Sequence, residues 1–119
     1  MCKKILVVDD DISILDAVSM ILEDHGYDVR GIQKGEDSYQ QAEIFQPHLI
    51  LLDVLMSGKD GREICKNLKS ENKTKNIPIV MFSAHPSAKK GMKEYGADDF
   101  LAKPFGTNEL LKIVSKFTR

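Results

Sequence analysis

The feature that most restricts the fold is a set of short runs without polar alternation: residues 5–8 (Ile5, Leu6, Val7, Val8), 48–52 and 79–82. A strand with one wet face alternates apolar and polar residues. A run that is apolar throughout is buried on both faces, as in the centre of a parallel sheet covered by helices. None of these runs approaches the roughly 20 residues that a bilayer crossing requires.

The segments between the runs read as helices. Ile14, Leu15, Val18, Ile21 and Leu22 recur at helical spacing, and Gly26 supplies a stop. Residues 28–32 read as a second strand, and Gly35 opens a polar helix that reaches about Phe45, ahead of Pro47. Residues 62–68 place Ile64, Cys65 and Leu68 on an inward helix face, and Pro78 introduces the run 79–82. A short helix is expected over 87–95, ending at Gly96. Residues 100–102 make a brief fifth strand broken by Pro104, and 107–117 close the chain as an amphipathic helix with Leu110, Leu111 and Val114. Five strands alternating with five helices give, through right-handed crossovers, an α/β parallel sheet with helices on both faces. One domain over residues 1–119 accounts for the whole chain.

Composition narrows the function classes. Lys plus Arg number 17 against 18 Asp plus Glu, a net charge of -1, which is not the basic surplus of a nucleic-acid binder. The N-terminus carries no signal-peptide pattern, and no membrane association is expected. Cys2 and Cys65 form neither a disulfide framework nor a metal-ligand spacing. Free thiols lead us to expect a cytoplasmic protein.

In an open α/β sheet, ligands bind at the carboxyl ends of the strands, where strand order reverses. The residues at those ends are Asp9 and Asp10, then Asp53, Ser83 and Lys103. Two unit charges about 4 Å apart repel by roughly 4 kcal/mol at an effective dielectric near 20. Protons or a cation must relieve that, and a few carboxylates with waters is how magnesium is usually held. A lysine suits a phosphoryl group, and a serine hydroxyl can donate to one of its oxygens. Blander readings stand beside this. The triple Asp9-Asp10-Asp11 could cap the first helix, as could a box of Ser13 with Asp16. Asp53 and Ser83 could be turn residues, and Lys103 a solvated lysine. Their convergence after four different strands outweighs these readings, with Asp11 alone assigned to capping.

These residues also carry a family resemblance. Val8-Asp9-Asp10, Leu51-Leu52-Asp53, Met56 to Gly61, Ser83-Ala84, Gly96 to Leu101 and Lys103-Pro104-Phe105 resemble the response-regulator receiver domain of two-component signalling, from Lys4 to the last helix. The resemblance implies a flavodoxin-like (βα)5 fold. It implies that Asp53 takes a phosphoryl group from the phosphohistidine of a sensor histidine kinase or histidine phosphotransfer protein. Asp9, Asp10 and Asp53, with the carbonyl of Leu55, would hold Mg2+. Lys103 and Ser83 would bind phosphoryl oxygens, and Phe100 would change rotamer with Ser83. The Lys103-Pro104 bond is usually cis in such domains. The protein would catalyse only its own phosphorylation and dephosphorylation, and would switch conformation for a downstream protein target.

The chain departs from the family pattern in places. Ser57 stands where proline is common, Ser83 replaces a frequent threonine, and the stretch from Ser83 to Lys103 is short. The helix expected there has about nine residues, with Gly91 at its middle and Lys89, Lys90 and Lys93 crowded along it, so it should be mobile. Two other functions compete with the phosphorylation switch. A pseudo-receiver binding module on the same fold tends to lack one of the acids, the acceptor or the lysine. An aspartyl phosphohydrolase usually needs a second acid where Leu55 stands.

Overall fold

The computed structural model describes residues 2–56, 59–85 and 89–119, with Lys59 described by its backbone alone. Strand β1 (Lys4–Val8) leads into helix α1 (Ile12–Asp24), followed by β2 (Asp28–Ile32). A 3-10 turn (Gly35–Asp37) opens α2 (Ser38–Phe45), and β3 (Leu49–Asp53) follows. A small hairpin, β4 (Leu55–Met56) and β5 (Lys59–Asp60), runs into α3 (Gly61–Ser70). Then come β6 (Ile79–Ser83), β7 (Asp99–Ala102) and α4 (Thr107–Thr118).

The five long strands form a wholly parallel sheet in the order β2-β1-β3-β6-β7. The order reverses between β1 and β3, because the chain goes from β1 to β2 on one side and returns to β3 on the other. The apolar runs sit where burial on both faces is enforced: every residue of β3 and β6 is buried. Their side chains divide between two cores. Leu6, Val8, Ile50 and Leu52 join Ala42, Phe45, Ile64, Cys65 and Leu68 under α2 and α3. Ile5, Val7, Leu49 and Leu51 join Leu15, Val18, Leu22, Leu110 and Val114 under α1 and α4. Burying each such aliphatic side chain contributes about 1.5–3 kcal/mol, so a one-residue slip that exchanged the faces would be heavily disfavoured.

The expected fold class is the one found, with two differences. The loop after Asp53 contains the β4–β5 hairpin, whose two-residue arms are too short to leave a sequence signal. The helix expected over 87–95 is not formed among the described residues; Ser87 and Ala88 lie outside them. Residues 90–96 run instead as consecutive turns. Met92, Glu94 and Gly96 donate their N–H groups three residues back, to Lys89, Gly91 and Lys93, at 3.3, 2.9 and 3.3 Å. Gly91 and Gly96 take left-handed φ values of 75° and 85°, which break any α-helical ladder through this stretch. Met92 and Tyr95 still pack against the α2–α3 core and tether the segment.

Single-turn hydrogen bonds open more readily than a packed helix. In native-state hydrogen exchange, the amides of residues 92–96 should exchange at least about a hundredfold faster than those of α1 and α4. Equal protection would show the turns to be as rigid as the core helices.

Candidate functional site

Register places the site. Val8 pairs with Leu52 across β1 and β3, so Asp9 and Asp53 emerge side by side where the strand order reverses. Ser83 pairs with Ala102 across β6 and β7, which sets Lys103 beside them on the same edge. The five residues expected at the strand ends do converge. A cleft of about 440 Å³ is lined by Asp9, Asp10, Asp53, Ser83 and Lys103, together with Asp11, Ile14, Leu55, Ala84 and His85.

Asp9 is fully buried and Asp53 only 4% exposed. The Lys103 ammonium reaches both, 3.0 Å from Asp9 Oδ2 and 3.3 Å from Asp53 Oδ1. The same ammonium lies 4.7 Å from the centre of the Phe82 ring, a cation–π contact that helps hold it indoors. The other oxygen of Asp9, Oδ1, accepts the Asp11 N–H at 2.9 Å. Asp11 is the N-cap of α1 and accepts the Ser13 N–H at 2.9 Å. Capping therefore belongs to Asp11, and the Ser13–Asp16 alternative is not the one used. Ser83 is buried, and its Oγ accepts the His85 N–H at 3.1 Å, leaving its own hydrogen to donate. The Lys103-Pro104 peptide is cis.

Burial, and then the charge of Asp9, push the Asp53 carboxyl up from 3.8 to about 6, against the opposing charge and hydrogen bond of Lys103. Oxygens of Asp9, Asp10 and Asp53 all lie within 4.8 Å of one another. At that spacing each pair of charges repels by about 3.5 kcal/mol at an effective dielectric near 20. Of the three carboxylates, Lys103 bridges Asp9 and Asp53. A clustered, all-oxygen donor set of this kind fits a hard divalent cation such as Mg2+.

Two residues singled out in the sequence stand apart from this cluster. Leu55 lines the cleft with its side chain largely exposed, consistent with any contribution coming from its backbone. Phe100 does not line the cleft; it packs, partly buried, against the α2–α3 core. Ile14, Ala84 and His85 line the cleft without having been identified as site residues. Ile14 looked like a core position of the first helix, and His85 carried no signal beyond standing two residues after Ser83.

Beside the cleft lies an apolar groove of about 460 Å³, formed by Ile14, Ala17, Val18 and Ile21 of α1 with Ala84, Lys103, Pro104 and Phe105. The two depressions share Ile14, Ala84 and Lys103. Among the described residues, no helix is long and apolar enough to cross a membrane.

Known proteins agree with this geometry. The chain is 37% identical over 118 residues to the DNA-binding dual master transcriptional regulator RpaA of Synechocystis sp., covering 98% of this chain and 49% of that protein. It thus spans about half the length of this curated relative. The solved structure of the Vibrio cholerae chemotaxis protein CheY4 superposes with a TM-score of 0.92 at 34% identity, covering 98% of this chain and 99% of that one. The receiver domain of the sensor histidine kinase PA1611 of Pseudomonas aeruginosa PAO1 has a magnesium ion coordinated in its active-site cleft. It shares the fold at a TM-score of 0.88, with 24% identity and coverage of 99% of this chain and 98% of that one. The response regulator receiver domain family matches residues 5–115, and the chain belongs to that family.

Proposed function

We propose that this receiver is a phosphorylation switch in which Asp53 accepts a phosphoryl group from a phosphohistidine donor in a Mg2+-dependent reaction. The observation that carries the reading is the buried Asp9–Lys103–Asp53 bridge beside Asp10, an acceptor, a countercharge and a cation-binding acid set on one sheet edge. Asp9, Asp10 and Asp53, with the Leu55 carbonyl, would hold the metal. When bound, it would neutralise the carboxylates and the equatorial phosphoryl oxygens.

A carboxylate oxygen of Asp53 attacks phosphorus in line, and the new P–O bond forms as the P–N bond to the donor imidazole breaks. The imidazole nitrogen keeps the electron pair and takes a proton from solvent. Lys103, already held between the acids, moves its charge to a phosphoryl oxygen. Ser83 donates its hydroxyl hydrogen to another. Residues 1–119 act as one receiver unit in this scheme, and its product is read by a downstream protein. The free thiols Cys2 and Cys65 support a cytoplasmic setting.

The donor protein docks in the groove between α1 and the Pro104–Phe105 turn. That groove shares Ile14, Ala84 and Lys103 with the acid cleft, so a chain seated there lies next to Asp53.

The decisive test is intact mass after incubation with a small phosphodonor. The wild-type protein should gain one phosphoryl group with magnesium and almost none with chelator, and Asp53→Asn should gain none. A protein that never gains mass is a pseudo-receiver instead. Phe105→Ala should slow transfer from a protein donor about tenfold or more beyond any change in labelling by the small donor, because only the protein donor uses the groove, whereas both reactions share the Phe105–Phe82–Lys103 contacts. Equal slowing with both donors would place Phe105 in the chemistry rather than in docking.

Asp53 also leaves a pH signature in the metal-free protein. Its folded-state pKa, about 6, lies above its ordinary 3.8, so the folded state binds this proton more tightly than the unfolded state does. The associated stability is present below pH about 4 and is lost as pH rises through about 6. Urea midpoints in chelator should therefore show Asp53→Asn more stable than wild type above that range, by up to about 3 kcal/mol. The gap should close toward pH 4. A gap independent of pH would mean that the Asp53 proton is not involved.

A further inference from the structure

Gly61, the first residue of α3, lies against the backbone that carries Asp53. A Cβ at this position would stand 2.0 Å from the Asp53 carbonyl oxygen and 3.0 Å from both the Asp53 carbonyl carbon and Val54 Cα. All three are main-chain atoms, so no rotamer change makes room. Gly61 is not among the residues with positive φ; what the position demands is space rather than a glycine conformation.

The surroundings hold this contact from both sides. Gly61 donates its N–H to the Val54 carbonyl at 2.7 Å, and Val54 donates its own N–H to Phe82 of β6 at 3.1 Å. Gly61 also closes the hairpin in which Leu55 pairs with Asp60 and Met56 with Lys59. Behind it, α3 is anchored by its Asp60 cap and by Ile64, Cys65 and Leu68 in the core. Asp53 itself is fixed in a central strand, paired with Phe82. A side chain at 61 therefore has to displace the Asp53–Val54 peptide or the hairpin beyond it.

We propose that Gly61 is a positioning residue for the Asp53 site. Its bare Cα lets the start of α3 lie flush against the Asp53 carbonyl, and so sets where the Asp53 carboxylate and the Leu55 backbone stand relative to Asp9 and Asp10. The proposal rests on the reading of Asp53 as a metal-assisted phosphoacceptor.

The test compares Gly61→Ala with Gly106→Ala in the 119-residue chain. At Gly106 a Cβ would meet only a side-chain oxygen of Glu109, at 3.4 Å. Amide chemical shifts are followed while Mg2+ alone is titrated, far-UV circular dichroism reports folding, and intact mass gives the rate of labelling by a small phosphodonor. Gly61→Ala should keep native dichroism and bind Mg2+ about tenfold or more weakly, the scale of losing a group that orients a ligand. Its shift changes should centre on Val54 and Leu55, and its labelling should slow. Gly106→Ala should titrate and label like wild type. A wild-type magnesium titration for Gly61→Ala overturns the proposal. So does a Gly61→Ala chain that fails to fold, because the residue would then serve the fold as a whole. If wild type itself bound no Mg2+ and gained no phosphoryl mass, the proposed function would fail. In that case the amide shifts of Val54 and Leu55 would still show whether Gly61 positions this backbone, and unmoved shifts would overturn its role.

Discussion

Lys103 reaches Asp9 and Asp53 across 94 and 50 residues of sequence, and the arrangement of the sheet edge depends on that double ion pair. Parallel pairing of β1 with β3 forces two carboxylates together at their ends, with a third from Asp10 beside them. Burying such charges without a partner would cost several kcal/mol each. Lys103 offsets part of this penalty for Asp9 and Asp53, while burial and the neighbouring Asp9 charge still raise the proton affinity of Asp53. A site built this way stores affinity for additional positive charge, which is what a metal-dependent switch requires. Packing in the two aliphatic cores provides the stability against which that imbalance is held.

Those cores explain why so much was legible beforehand. The runs at Ile5, Leu49 and Ile79 are apolar because both faces of their strands are covered, the pattern of a parallel sheet with helices on both sides. Once these strands are placed, connection rules set their order, and Asp9, Asp53, Ser83 and Lys103 are carried to one edge. What escaped was governed by shape and by short-range geometry. The β4–β5 hairpin has no periodicity to detect. His85 and Ala84 line the cleft only through the course of the chain after β6. The close approach of Gly61 to the Asp53 carbonyl, where an added Cβ would stand 2.0 Å from the oxygen, is set by packing and is invisible in a string of letters.

The connection from β6 to β7 shows propensity and packing acting separately. Gly91 and the lysines around it weigh against a helix, and the chain follows that preference by forming turns. Yet Met92 and Tyr95 still reach the core, and Ala97 is buried next to them. Lys69 of α3 adds a tether, with its ammonium 2.8 Å from both the Ile77 carbonyl and Asp98. Few anchors on an irregular backbone are the features that lower the cost of local opening.

Lys103 also belongs to the apolar groove, and this double membership gives the two depressions a physical connection. Its ammonium lies over the Phe82 ring, and Phe82 meets Phe105 edge to face, with centroids 6.1 Å apart and ring planes at 86°. Phe105 in turn forms part of the groove wall against α1. A phosphoryl group on Asp53 would draw Lys103 toward new oxygens and away from its present balance between Asp9 and Asp53. The Phe82 ring would then lose part of a cation–π contact worth about 0.5–2 kcal/mol. That energy is small against the whole fold but comparable to the differences that shift a packed aromatic pair between two arrangements. Occupancy of the acid cleft and the shape of the neighbouring groove are thus joined by contacts already present in the protein.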